Sequence, residues 1–81
     1  MTGKNVKIYS TPTCHWCNLA KQFFKENKVE YTDYNVAADT KAANKMVQKT
    51  GQMGVPVIDI DGQFIIGFDK ARIVKALGLK A

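Results

Sequence analysis

Between Val6 and Val36 the hydrophobic pattern changes period twice, and this switch constrains the fold more than any other feature of the chain. Val6-Lys7-Ile8-Tyr9 is a short β-type run that ends at Ser10-Thr11-Pro12-Thr13, a loop signal. Trp16, Leu19, Ala20, Phe23 and Phe24 then recur at helical spacing, with Asn18, Lys21, Gln22, Lys25 and Glu26 opposite them. Thr13 is the expected N-cap, and the helix should run to Asn27-Lys28. Val29 to Val36 is rich in β-branched and aromatic residues and reads as a second strand. Strand, helix and strand in so short a stretch form a βαβ unit, so the two strands should be parallel.

Asp39 is placed to cap a second helix that turns Ala42, Ala43, Met46 and Val47 inward, and Gly51 stops it. Val57-Ile58-Asp59-Ile60 and Gln63-Phe64-Ile65-Ile66 flank Asp61-Gly62, the strongest short hairpin signal, so these strands should be antiparallel neighbours. Gly67-Phe68-Asp69 leads into a last helix with Ile73, Val74 and Leu77 on its apolar face and Gly78 at its end. The expected fold is α/β, a four-stranded mixed sheet in the order βαβ, helix, ββα, with helices on both faces. That order resembles the thioredoxin-like plan. Residues 1–81 should form one domain.

Cys14-His15-Trp16-Cys17 sits where the first loop becomes the first helix. Closing so short a loop removes little chain entropy, so a stabilising disulfide is poorly motivated and chemistry is the better reading. Unpaired backbone N–H groups and the positive end of the helix dipole favour negative charge at Cys14, the expected attacking thiolate. Cys17 lies one turn in, more buried, and suits the resolving role. Two inert cysteines would be the bland reading. A structural zinc site needs four ligands, and two Cys with His15 between them do not complete a tetrahedron without a second chain. His15 is either a charge partner of the thiolate or simply exposed. Trp16 either docks substrate or, the favoured reading for the ring as a whole, packs inward with Leu19 and Ala20. Val55-Pro56 precedes an internal strand, where proline lacks a ladder donor; a trans residue at the strand start is the ordinary explanation. Gly51-Gln52-Met53-Gly54 ahead of it would also suit an unusual turn.

The net charge of +5 raises the question of nucleic acid. Lys21, Lys25 and Lys28, like Lys41, Lys45 and Lys49, recur at helical spacing and read as solvated helix faces, and no RNA-recognition strand accompanies them. Nucleic-acid binding is therefore not expected, and an acidic protein partner fits the field better. No run approaches the roughly 18–20 apolar residues of a membrane span, and no secretory signal is visible. A soluble, monomeric cytoplasmic protein is expected, in a compartment where Cys-X-X-Cys beside a βαβ pattern reads as redox or metal chemistry.

Together, Tyr9-Ser10-Thr11-Pro12-Thr13-Cys14-His15-Trp16-Cys17, Gly54-Val55-Pro56 and Ile65-Ile66-Gly67-Phe68-Asp69 resemble a glutaredoxin, closest to the bacterial glutaredoxin-like redoxins. The resemblance implies that Pro56 is a cis-proline facing the cysteines. It implies that Val55 offers backbone groups to a substrate chain, and that Gly67-Phe68-Asp69 meets the γ-glutamyl end of glutathione. Many glutathione-using members carry a lysine where Thr11 stands, so Thr11 belongs to the same expected substrate site, with His15 and Trp16. The implied substrates are protein disulfides, with no bound cofactor or metal. The electron donor would be thioredoxin reductase or glutathione, the latter being possible also as a ligand. His15 and Trp16 replace the usual Cys-Pro-Tyr-Cys centre, and members without that proline can share an iron–sulfur cluster between two chains. That binding module and a pure interaction domain are the rival functions.

Overall fold

The first strand, β1 (Val6–Ser10), is the centre on which the sheet is built. In the computed structural model, which describes residues 5–52 and 54–78, it is followed by α1 (His15–Glu26), β2 (Thr32–Asn35) and α2 (Thr40–Thr50). The hairpin β3 (Val57–Ile60) and β4 (Gln63–Ile66) and the helix α3 (Lys70–Leu77) complete the chain order. The strands lie in the order β2-β1-β3-β4. β1 runs parallel to β2 and antiparallel to β3, and β3 pairs antiparallel with β4, as the βαβ and hairpin signals require.

Alternation along β1 sorts the core into two layers. Val6 and Ile8 face α1 and α3, packing with Ala20, Phe24, Ile58, Ile65, Ile73 and Leu77. Tyr9 faces the other side and packs with Val57 and with Ala42 and Met46 of α2. Helices thus cover both faces, because the strand period of two sends successive side chains to opposite sides. Tyr9 stacks between Tyr34 and Phe64, with ring centroids 5.3 and 6.4 Å away. Its hydroxyl is buried without a partner among the described residues. Burial, then Asp59 and Tyr34, raises the Tyr9 hydroxyl above the ordinary tyrosine range.

The hairpin turn has positive φ at both Asp61 (51°) and Gly62 (92°), the geometry that matches strand twist in a two-residue loop. Asp61 and Asn5 exchange hydrogen bonds of 2.9 Å, tying the hairpin tip to the start of β1. Asp39 accepts from the Ala42 N–H and Gly51 closes α2 in the left-handed region, as expected of each.

Two expectations are corrected. The second strand is confined to Thr32–Asn35 rather than Val29 to Val36. Lys28 adopts φ 56°, and the Val29 N–H donates to the Phe24 carbonyl at 2.8 Å while Lys28 N–H reaches Lys25. This is a Schellman ending, so Val29 finishes the helix and drops into the core beside Phe24 instead of opening a strand. Of the inward face expected for α1, Ala20 and Phe24 are buried and Leu19 and Phe23 half-buried as the spacing requires, but Trp16 is exposed and Cys17, one residue on, takes its place. No helix among the described residues is long and apolar enough to cross a membrane. Met53, within the glycine-flanked loop before Pro56, lies outside the described residues.

Candidate active site

The loop from β1 to α1 decides where the first sulfur goes. The Cys14 N–H donates to the Thr11 carbonyl at 3.3 Å, closing a turn around Pro12 and Thr13. The N-cap is then Cys14 itself rather than Thr13, with extended backbone (φ −84°, ψ 114°). Its Sγ accepts a 3.1 Å hydrogen bond from the Cys17 N–H. The first-turn N–H groups have no carbonyl partner inside the helix, and here a sulfur takes the place an Asp or Ser oxygen usually fills. The arrangement holds a half-buried Cys14 sulfur where negative charge is favoured.

Cys17 is fully buried on the inward stripe. Burial above all, and then its hydrogen bond and proximity to Cys14, push its thiol up to about 12; a backbone hydrogen bond with Thr11 and the charge of Lys21 pull the other way. One cysteine is thus presented and its neighbour, three residues on, is kept protonated behind it.

Beside the pair opens a shallow cleft of about 280 Å³ lined by Trp16, Val55, Pro56, Gly67 and Phe68. All five belong to the substrate site expected from sequence, and the fold brings them together from α1, the loop before β3 and the loop after β4. The Val55–Pro56 bond is cis, Pro56 is buried, and its carbonyl accepts from the Gly67 N–H at 2.8 Å, joining two walls of the cleft. Trp16 does not pack inward: the residue is 58% exposed, with the exposed His15 ring edge-on at 5.7 Å. Its position precedes the buried stripe by one residue, which turns it to the cleft. Phe68 leans on Phe23, whose ring carries the Lys70 ammonium at 5.5 Å from its centroid.

Thr11 stays in the turn below Cys14, half-buried. Asp69 caps α3 through the Arg72 N–H and pairs with the Arg72 side chain at 3.4 Å, so both charges are engaged with each other at the helix start. The cleft lining is uncharged. Among the described residues no group of three or more His, Cys, Asp or Glu side chains is arranged to hold a metal ion.

Three residues that sequence reasoning missed are linked to one another through the lysine one helical turn beyond Cys17. Lys21, read as part of a solvated stripe, is mostly buried and pairs with Asp33 of β2 at 2.7 Å, and Ser10 at the end of β1 donates to the same carboxylate at 2.6 Å. The signal available was spacing alone: Lys21 stands one helical turn beyond Cys17.

Comparison with known proteins agrees with this geometry. The family model for glutaredoxin matches residues 6–65. The chain is 49% identical over 72 residues to a glutaredoxin-like 8.6 kDa protein in the rubredoxin operon of Clostridium pasteurianum, covering 89% of this chain and 96% of that one. It is 31% identical to glutaredoxin 3 of Escherichia coli over 74 residues, 91% of this chain and 89% of the relative. Among solved structures, the thioredoxin-like protein BC3987 superposes with a TM-score of 0.84 at 28% identity, over 89% of this chain and 99% of that one. With the fold, the cysteine pair at the helix start and the matched sequence in agreement, the chain belongs to the glutaredoxin family.

Proposed function

We propose that the protein is a cytoplasmic, monomeric thiol–disulfide oxidoreductase that reduces protein disulfides and is itself re-reduced chiefly by a thioredoxin reductase. The carrying observation is the unequal pair: a presented Cys14 sulfur at the start of α1 and a buried, protonated Cys17 behind it. In this reading the Cys14 thiolate attacks one sulfur of a substrate disulfide, and the other leaves as a thiolate. Cys17 then attacks Cys14, releasing the second substrate thiol and leaving Cys14–Cys17 oxidised; two electrons have passed to the substrate. Trp16, Phe68 and Gly67 receive the substrate chain, and the Val55-Pro56 segment offers it backbone groups in the manner of an added strand. Thr11 and His15 flank the reacting sulfur.

The choice of reductant rests on the uncharged cleft. Thr11 stands where many glutathione-using relatives carry a lysine; Arg72 is turned back on Asp69 and Lys70 lies over Phe23. One missing charged hydrogen bond to a carboxylate costs about 1.5–3 kcal/mol, roughly ten- to a hundredfold in affinity. Oxidised protein would be given NADPH with thioredoxin reductase, or NADPH with glutathione and glutathione reductase, and NADPH loss followed. Turnover in the first system and slow turnover in the second is expected. The reverse pattern would show glutathione to be the donor, and no turnover in either system would remove the oxidoreductase reading.

A further inference from the structure

Resolution of the mixed disulfide asks a fully buried thiol to act as a nucleophile, and α1 carries a cation beside it. Lys21 follows Cys17 by four residues, so their side chains are neighbours on one helix face. Its ammonium is held from the sheet side: Asp33 Oδ2 is 2.7 Å away, and Asp33 Oδ1 accepts from the Ser10 hydroxyl at 2.6 Å. Ser10 is only 1% exposed, a polar group kept inside an otherwise apolar face with this bond as its side-chain contact. A simple clamp between helix and edge strand would not need a buried hydroxyl to orient the carboxylate, because a partly exposed ion pair contributes little to stability.

We propose that Lys21 is an electrostatic positioning residue for the resolving step, its ammonium stabilising the Cys17 thiolate while that sulfur displaces product from Cys14. The inference rests on the roles proposed above for the two cysteines. In the step, the Cys17 S–H bond breaks, a Cys17–Cys14 bond forms, and the Cys14–product bond breaks. The electron pair departs with the product thiolate, which takes up the proton; Lys21 stays protonated throughout. The direction of the Lys21 effect on the Cys17 thiol, downward against burial, agrees with this role. The groups facing Cys17 are Cys14 at the N-cap, the Thr11 backbone from the β1–α1 loop, Lys21 on α1 and, through it, Asp33 on β2.

Loss of a partly screened unit charge one helical turn away moves a thiol by about one pH unit, lowering its thiolate fraction about tenfold. The more basic thiolate is about threefold more nucleophilic, which leaves a net slowing of about threefold. The test mixes the reduced full-length protein with a chromogenic aromatic disulfide and follows thiolate release. The first release reports Cys14 attack and the second reports resolution by Cys17. Lys21→Met should slow the second phase about threefold, moving its rising limb about half a pH unit to the alkaline side, with the first phase little changed. Lys21→Arg should restore the second phase, and Lys25→Met, which removes an exposed charge from the same helix, should leave both phases alone. An unchanged second phase in Lys21→Met, an equal slowing in Lys25→Met, or failure of Lys21→Arg to rescue would overturn the inference while leaving the cysteine roles intact. Absence of any second release in the unmutated protein would overturn both.

Discussion

Brief iodoacetamide treatment of the reduced protein at neutral pH should modify Cys14 and spare Cys17. The magnitude follows from the buried thiol. With Cys17 pushed up to about 12, about one molecule in 100,000 carries its thiolate at pH 7. An ordinary thiol near 8.5, as in the unfolded chain, is about 3% ionised, roughly 3,000 times more. The more basic thiolate is the better nucleophile, by about fortyfold over that gap, so the net protection is roughly a hundredfold. Complete burial of Cys17 adds steric exclusion on top. The assay compares native protein with protein unfolded in urea, quenches after short times and maps the modified peptide, where fragmentation between His15 and Trp16 separates the two cysteines. Labelling of native Cys17 within tenfold of its unfolded rate, or ahead of Cys14, would refute the division of roles between them.

The same protonated thiol makes stability depend on pH. Folded Cys17 keeps its proton to about pH 12, whereas the unfolded thiol releases it near about 8.5, so the native state binds more protons in that window and stability falls as pH rises through it. The loss is at most about 1.4 kcal/mol per pH unit, and urea denaturation of the reduced protein against Cys17→Ala should show it. Tyr9, raised in the same direction, adds its own loss at higher pH in both proteins, so parallel pH profiles would contradict the burial argument. Trp16→Ala should leave stability within about 0.5 kcal/mol, because the ring is exposed, yet raise KM for a protein disulfide roughly two- to tenfold. An unaltered KM would take Trp16 out of the substrate site.

What the amino-acid order determined by itself is whatever rests on near neighbours. The Asp61-Gly62 turn and the Asp39 and Gly51 caps act within a few residues, and each stands in the structure where the pattern places it; the change of hydrophobic period gives the order of the elements. The placement of Cys14 and Cys17 at a helix start was legible for the same reason. The rest was decided either by backbone hydrogen bonds that a side-chain pattern does not record or by contacts between distant segments. Cys14 rather than Thr13 became the cap because the turn that positions it closes on the Thr11 carbonyl. Val29 left the second strand because the helix ending pulled it against Phe24. Trp16 faced outward because Cys17 took the inward stripe, and the cleft beside it needed loops that the chain order keeps far apart. Lys21 looked like any solvated lysine until β2 brought Asp33 across to it, with Ser10 of β1 holding the carboxylate. A charge's role depends on what lies opposite it in space, and spacing along one helix carries no record of the strand that packs there.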